Sequence, residues 1–230
     1  MKTIGLIGGM SWESTAHYYA LINQYIQEKL GGLHSAKILL TSVDFAEIEA
    51  HQKKNEWDEI TALLLPEAQK LEEAGADFII ICTNTIHKIV PVLAPSLHIP
   101  LLHIAEATAE ALQDAGIRKA GLLGTKYTLQ DNFYGDKLAE YGIETIIPQP
   151  EDVDCLNRII FDELCMAKFC DASKTEVLDI ISRLEERGAE AVILACTELD
   201  LLIKAGDAGI PIFDTTKIHA EKAAKKAIEK

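Results

Sequence analysis

The sequence predicts an α/β fold with two pseudo-symmetric three-layer α/β/α lobes, mainly parallel sheets, and an active site in the cleft between the lobes. The first observation is a repeat: residues 72–83 read EEAGADFIIICT and residues 185–196 read EERGAEAVILAC. The second is that residues 118–124 (RKAGLLG) match residues 2–8 (KTIGLIG). Strands that alternate with helices predict parallel sheets with right-handed crossovers. Ligands bind at the carboxyl ends of such strands.

The first half of the chain contains three predicted strands, at 2–8, 37–43 and 77–82. A helix from about Ser11 to Leu30 follows the first strand and ends at two glycines, as helices often do. The polar stretch 44–55 is predicted to be a loop, and a long amphipathic helix covers roughly 56–74. A further helix opens after the third strand and ends near Pro91.

The second half repeats this order of elements. Strands are predicted at 118–124, 143–147, 190–195 and 210–213, with helices at about 153–169 and 173–187, from Thr197, and at 215–229. Prolines break the pattern near 95–105. We therefore expect a second lobe of residues 99–206. The first lobe is expected to be discontinuous, with residues 1–98 and 207–230, because the C-terminal strand and helix return to it.

Composition excludes several classes of protein. The 230 residues are 48% apolar and carry a formal net charge of −14, with no block of Lys or Arg, so nucleic acid is not an expected partner. No apolar run reaches membrane-spanning length, and the N-terminus lacks the pattern of a signal peptide. Five cysteines without a secretory signal predict reduced thiols in a cytoplasmic protein. Their spacing shows no C-x-x-C pair, and we expect no metal site.

The glycines of GLIGGMSW, at the end of the first strand, have two interpretations. Gly8 and Gly9 let the backbone approach a ligand, and the helix that begins near Met10 offers free amides to an anion. The alternative is an ordinary tight turn between strand and helix. The glycine patterns of dinucleotide and P-loop sites do not occur in this segment.

Small polar residues follow the third strand, in the motif CTNTIH at 82–87. Thr83, Asn84 and Thr85 form either a helix cap or a cradle for a carboxylate, built from hydroxyls, an amide side chain and backbone N–H groups. Successive strand residues point to opposite faces, so with Thr83 at the cleft we expect Cys82 in the core. His87, like His103, is expected to be structural.

The second copy of the repeat ends in ACTE at 195–198. Cys196 follows Thr83 by 113 positions (196 − 83), and it precedes a predicted helix whose dipole lowers the pKa of a thiol. A lone cysteine in such a place is often structural. Its repeat-related position opposite Thr83 favours a catalytic function, with Thr197 as a donor to a carboxylate.

Together these motifs resemble those of the aspartate/glutamate racemase family over the whole chain: GLIGGM, CTNTxH, ACTE and FDTTxIHAE occur in the family's order. The chain most resembles the bacterial broad-specificity amino-acid and L-aspartate/glutamate racemases, which share GGMSWEST and the Thr before Asn-Thr. The resemblance implies a homodimer that uses neither pyridoxal phosphate nor a metal. One thiolate would remove the α-proton of an amino acid and a second thiol would protonate the opposite face. It assigns proton transfer to Thr83 and Cys196, and substrate binding to Met10, Gln52, Thr83, Asn84, Thr85 and Thr197.

The chain departs from the family's pattern at three positions. Thr83 replaces the first thiol, so we expect Cys196 to be the principal base. His51, followed by Gln52, stands where aspartate-specific members carry an Arg, and Cys165 stands where the family has a Lys. With both cations missing, strict aspartate specificity is not expected, and a neutral polar side chain such as that of homoserine fits.

Two other functions are compatible with a single thiol. One is a decarboxylase of the same superfamily, which would release carbon dioxide from a disubstituted malonate and protonate one face of a planar intermediate. The other is a catalytically decayed, two-lobed sensor that closes on an amino acid without turnover. Exchange of the α-proton of an amino acid separates the racemase from both.

Overall fold

Each half of the sequence forms a parallel sheet of its own, as predicted. In the computed structural model, which describes residues 1–130, 132–166 and 168–229, the chain divides into two lobes. The first lobe consists of Met1–Ile104 and the C-terminal stretch from His219, and the second consists of Ala105–Ile218. The strand pairs that the structure describes are all parallel.

The first lobe has a three-stranded sheet with the strand order β2-β1-β3. Its strands are β1 (Thr3–Gly8), β2 (Lys37–Ser42) and β3 (Phe78–Ile81). Its first helices are α1 (Trp12–Leu30), α2 (Phe45–Lys53) and α3 (Trp57–Glu73). After β3 come a 3-10 turn at Thr85–Ile89, the short helix α4 (Val90–Leu93) and a second 3-10 turn at Ala94–Ser96.

Helices cover both faces of this sheet, because successive strand residues are apolar on opposite sides. Ile4 and Leu6 of β1 pack on one face with Tyr18 of α1 and with alanines near the C-terminus. Ile7 of β1 packs on the other face with Leu64 of α3. This arrangement gives the first lobe its three layers.

The second lobe has four strands in the order β5-β4-β6-β7. These are β4 (Lys119–Gly124), β5 (Glu144–Ile146), β6 (Ala191–Ala195) and β7 (Ile212–Asp214). The remaining helices are α5 (Ile104–Asp114), α6 (Lys126–Gln130), α7 (Phe133–Glu140), α8 (Pro150–Arg158), α9 (Asp171–Glu186), α10 (Leu199–Leu202) and α11 (Thr215–Ile228). A π turn at Ile159–Glu163 and a 3-10 turn at Leu164–Met166 follow α8. None of the helices in the described part of the chain is long and apolar enough to span a membrane.

The C-terminal strand lies elsewhere than expected. β7 pairs with β6 of the second lobe, with Ile212 opposite Val192, so it does not return to the first sheet. The equivalent edge of the first sheet is already occupied. The amide of Ile79 donates to the carbonyl of Pro100, and the amide of Leu102 donates to the carbonyl of Ile79, both at 2.9 Å. The C-terminal helix alone returns, because α11 packs in the first-lobe core beyond His219.

One local expectation was wrong, and two expected helices differ in detail. The stretch 44–55, expected to be a loop, contains α2, and Asp44 caps this helix by accepting a hydrogen bond from the amide of Ala46 at 3.0 Å. The buried side chains of α2, Ile48 and Gln52, are four positions apart, which is helical spacing within a mostly polar segment. The helix expected after 83–85, ending near Pro91, is instead the 3-10 turn Thr85–Ile89 followed by the four-residue helix α4, and the helix expected from Thr197 is the four-residue helix α10.

Candidate active site

The turn after β1 is closely packed around its two glycines. Gly9 has a φ of +94°, and a Cβ there would lie 2.2 Å from the carbonyl oxygen of Val43. A Cβ at Gly8 would lie 2.3 Å from Cγ2 of Thr15. The hydroxyl of Thr15 accepts a hydrogen bond from the amide of Gly9 at 2.9 Å and donates to the carbonyl of Ser11 at 2.8 Å. Both glycines are therefore required by the turn, and Met10, which follows them, is 3% exposed.

Thr83, Asn84 and Thr85 lie just beyond the end of β3. The side chain of Thr83 is half-buried, while those of Asn84 and Thr85 are buried. Asn84 occupies the cap position of the turn Thr85–Ile89, but its side chain makes no capping hydrogen bond. Simple capping therefore does not explain Asn84 in this motif.

Cys82 faces the core of the first lobe, as predicted. It is fully buried with Ile4 and Leu6, and burial raises the pKa of its thiol above the ordinary value. The backbone of Cys82 is hydrogen-bonded to the segment around the glycine turn after β1. The amide of Cys82 donates to the carbonyl of Ile7 at 2.9 Å, and Ser14 donates its hydroxyl hydrogen to the carbonyl of Cys82 at 3.1 Å. The glycine turn and Thr83 thus lie at the same edge of the first sheet.

Cys196 directly follows β6 in the second lobe and is 6% exposed. Its Sγ lies 3.1 Å from Oε2 of Glu198, so the thiol can donate to the carboxylate. Thr197 donates its hydroxyl hydrogen to the same oxygen at 2.8 Å. Glu198 was not among the residues predicted from the sequence, although the acidic residue two positions after the cysteine in ACTE is a signal that could have identified it.

The pKa of Cys196 is raised well above its ordinary value, which is opposite to the lowered pKa expected from the sequence. Burial of the thiol is the main cause, and the negative charge of Glu198 is the second; the backbone amide of Glu198 acts in the opposite direction. The expected helix dipole is weak because α10 has only four residues and begins three positions after the thiol. Cys196 is therefore a protonated thiol at neutral pH.

The two positions where the family resemblance implies an Arg and a Lys are His51 and Cys165 in this chain, and they offer no available cation. His51 of α2 has its Nδ1 2.8 Å from Oε2 of Glu56, and the neighbouring Gln52 is 6% exposed. Cys165, in place of the family's Lys, lies exposed on the turn Leu164–Met166 of the second lobe. A carboxylate side chain of a ligand would find no ready counterion at these two positions.

Comparisons with known proteins agree with the motifs. The family model of the Asp/Glu/hydantoin racemases matches residues 7–223. The crystal structure of a candidate Asp/Glu racemase from Yersinia pestis is 49% identical, covers 100% of both chains and superposes with a TM-score of 0.94. An aspartate racemase homologue from Pyrococcus horikoshii OT3 is 36% identical over 100% of both chains, with a TM-score of 0.89. The broad specificity amino-acid racemase RacX of Bacillus subtilis (strain 168) is 25% identical over 227 residues, 95% of each chain.

These matches extend over both lobes and include all the motifs discussed above. The two parallel sheets are those of the structural relatives as well. The chain therefore belongs to the Asp/Glu/hydantoin racemase family and is an enzyme, an isomerase that acts on amino acids.

Proposed function

We propose that the protein inverts the α-carbon of aspartate, glutamate or a similar polar amino acid such as homoserine, with Cys196 as the principal acid–base residue and without pyridoxal phosphate or a metal ion. The observation that carries the proposal is the setting of Cys196. It is a buried thiol at the carboxyl end of β6, hydrogen-bonded to the carboxylate of Glu198. Thr83 occupies the repeat-related position after β3, where the family resemblance implies a second thiol.

The raised pKa of Cys196 suits proton abstraction from carbon. In the resting enzyme the thiol is protonated, and the carboxylate of Glu198 accepts its proton when substrate binds. The resulting thiolate is a stronger base than an ordinary one, because a higher pKa of the conjugate acid means a greater affinity for a proton. It removes the α-proton, and the electron pair of the C–H bond moves onto the α-carboxylate as an enediolate.

Protonation of the opposite face completes the inversion. The donor stands at the position of Thr83, whose hydroxyl either gives a proton or relays one from water. Glu198 returns its proton to solvent, and water restores the hydroxyl, so no net proton is gained or lost. A hydroxyl is a far weaker acid than a thiol. The two directions of attack therefore differ in rate, although the equilibrium between enantiomers does not change.

The polar residues at the strand ends are proposed to hold the substrate. Thr83, Asn84 and Thr85 in the first lobe and Thr197 in the second would supply hydroxyl, amide and backbone N–H donors. Such donors stabilise the negative charge that grows on the α-carboxylate as the proton leaves. Met10 and Gln52, both buried, complete the proposed binding residues.

Proton NMR in deuterium oxide tests the proposal. The α-proton signals of L- and D-aspartate, glutamate and homoserine are followed in the presence of the wild type and of Cys196→Ala. We expect exchange and racemisation with at least one of the three amino acids, and loss of both in Cys196→Ala. The favoured amino acid identifies the side chain that the enzyme accepts.

Cys155→Ala is a matched control, because Cys155 is another thiol of the second lobe that donates to a carboxylate, that of Glu176 at 3.0 Å. It should keep wild-type exchange. Exchange that persists in Cys196→Ala contradicts the assignment of the base. No exchange in a folded wild-type sample contradicts the racemase for these substrates. Carbon dioxide release from a disubstituted malonate would then indicate the decarboxylase, and binding without turnover would indicate the sensor.

The family resemblance favours a homodimer, and we propose this assembly on that ground. We propose a cytoplasmic location because the cysteines of the described residues are free thiols. Light scattering coupled to size-exclusion chromatography measures the mass directly. A mass of about twice the 25.3 kDa of one chain supports the dimer, and a mass of one chain contradicts it.

A further inference from the structure

Three histidines form a buried cluster in the first lobe. His87, His103 and His219 are 0%, 6% and 0% exposed. The ring centroid of His87 lies 4.7 Å from that of His103 and 5.5 Å from that of His219. Within the described ranges, no three His, Cys, Asp or Glu side chains are arranged to hold a metal ion.

The hydrogen bonds of two of these rings determine their tautomers. Nδ1 of His87 lies 2.8 Å from the carbonyl oxygen of Thr83, and a carbonyl only accepts, so Nδ1 carries the hydrogen. Nε2 of His87 is then a bare acceptor, and it has no hydrogen-bond partner among the described residues. In His219 the situation is reversed: Nε2 donates to the carbonyl of Leu102, and Nδ1 accepts from the hydroxyl of Tyr18, both at 2.9 Å.

Both rings are neutral in this setting. Burial lowers the pKa of His87 well below its ordinary value, and the neighbouring His103 and His219 lower it further. These two histidines are the titratable groups that face the His87 ring from other segments of the lobe. A proton on His87 would therefore stand next to two more imidazoles, and among the described residues no carboxylate acts on its pKa.

The second lobe shows that the fold itself does not require these histidines. Ile99-Pro100 recurs as Ile210-Pro211, and at the same offset Thr108 corresponds to His219 (219 − 108 is 111). The equivalent of the Tyr18–His219 hydrogen bond is a contact between two hydroxyls, those of Tyr134 and Thr108, at 3.1 Å. By the spacing of Thr83 and Cys196, the counterpart of His87 is Asp200 (200 − 87 is 113). The three histidines lie in the lobe that carries Thr83.

We propose that His87 is a positioning residue for Thr83. Its Nδ1–H holds the carbonyl of Thr83, and a second hydrogen bond, from the amide of His87 to the carbonyl of Asn84 at 3.1 Å, closes the turn. Together they fix the backbone at Thr83 and Asn84, and so the direction of the Thr83 hydroxyl and of the amides that follow it. The neutral, buried ring makes this attachment independent of pH in the neutral range. The inference rests on the proposed function.

The test separates inversion of the substrate from exchange of its α-proton. In deuterium oxide, Cys196 alone can exchange the α-proton on its own face and return a deuteron there, whereas inversion also needs the donor at Thr83. His87→Leu removes the hydrogen bond to Thr83 and should lower inversion about tenfold or more relative to exchange, since small misplacements of a reacting group are costly. His87→Asn retains an N–H near the position of Nδ1 and should recover most of the inversion.

The matched control is His219→Phe, which removes an equally buried ring of the cluster that bonds Leu102 and Tyr18 but not Thr83. This variant should keep the wild-type ratio of inversion to exchange. Circular dichroism measures the fraction of the variant that is folded. An unchanged ratio in His87→Leu, or an equal fall in His219→Phe, overturns the positioning of Thr83 by His87. A wild type that exchanges no α-proton overturns the proposed function instead, which distinguishes the two failures.

Discussion

The Sγ of Cys196 lies 3.1 Å from Oε2 of Glu198, and this pair joins the buried thiol of the ACTE motif to a carboxylate of the same motif. A carboxylate beside a buried thiol raises the pKa of the thiol. It is also the group best placed to receive the proton when the thiolate forms. The same contact thus adds to the effect of burial, which keeps the resting thiol protonated, and in the proposed reaction it gives the thiol proton a destination.

Glu198→Gln should slow α-proton exchange about a hundredfold or more, because an amide cannot accept the thiol proton as a base. The pKa of Cys196 should also fall, since the negative charge is removed while the burial remains. The measurements are the pH dependence of kcat/KM and the thiolate absorbance of the free enzyme. Glu176→Gln, which alters the acceptor of the Cys155 thiol, is the control and should leave both unchanged. An unaltered pH profile in Glu198→Gln contradicts the pairing.

Thr83→Cys should reduce the difference between the two directions of racemisation. A thiol is several pKa units more acidic than a hydroxyl, so the variant has a usable base on the second face. We expect a larger rate for the enantiomer whose α-proton points to residue 83, measured as initial rates from pure L and pure D substrate. Thr83→Ser, which keeps a hydroxyl, is the control. Equal asymmetry in Thr83→Cys and the wild type would contradict a proton-transfer position at residue 83.

Much of the fold follows from local patterns in the sequence. β1 and β4 were predicted from the matching runs at 2–8 and 118–124, and each is the central strand of its sheet, or next to the centre. The placement of β7 was not predictable in this way. Pro100 and Pro211 precede similar apolar segments, and the sequence of neither segment indicates which sheet it joins.

The candidate site was predicted in part. The repeat identifies Thr83 and Cys196 because both stand where a strand ends, a position that sequence spacing conveys. The predicted direction of the pKa shift of Cys196 was wrong. The shift depends on burial of the thiol and on the side-chain direction of Glu198, and both are tertiary properties. The hydrogen bond from His87 to the carbonyl of Thr83 likewise depends on a 3-10 turn where an α-helix was expected.

Gly9→Ala should destabilise the first lobe by at least about 2 kcal/mol, from a left-handed φ and a steric clash together. The φ of Gly9 is +94°, and the new Cβ would meet the backbone of Val43, which cannot rotate away. Gly75→Ala is the matched control, because Gly75 has a φ of +93° with no atom within 4 Å of the added Cβ. It should cost about 1 kcal/mol, for the φ alone. Urea unfolding measures both, and equal losses would contradict the clash.

The stability of the protein should fall as the pH drops below 6.5. His219 has its pKa lowered to about 3 from an ordinary value of 6.5, and the pKa of His87 is also lowered well below that value, mainly by burial in both cases. Below pH 6.5 the unfolded chain binds protons at these histidines that the folded chain does not bind. The free energy of unfolding therefore decreases with falling pH, approaching about 1.4 kcal/mol per pH unit for each such histidine.

Urea unfolding at pH 7, 6 and 5 measures this slope. Carboxylates such as Glu67 and Glu163, whose pKa values are lowered from 4.5, begin to contribute only below this range, so the histidines dominate the slope between pH 6 and pH 5. His219→Phe removes one buried histidine and should reduce the slope by about 1.4 kcal/mol per pH unit, although the variant starts from a lower stability. A slope that is the same in both proteins would mean that His219 is not held neutral in the folded state.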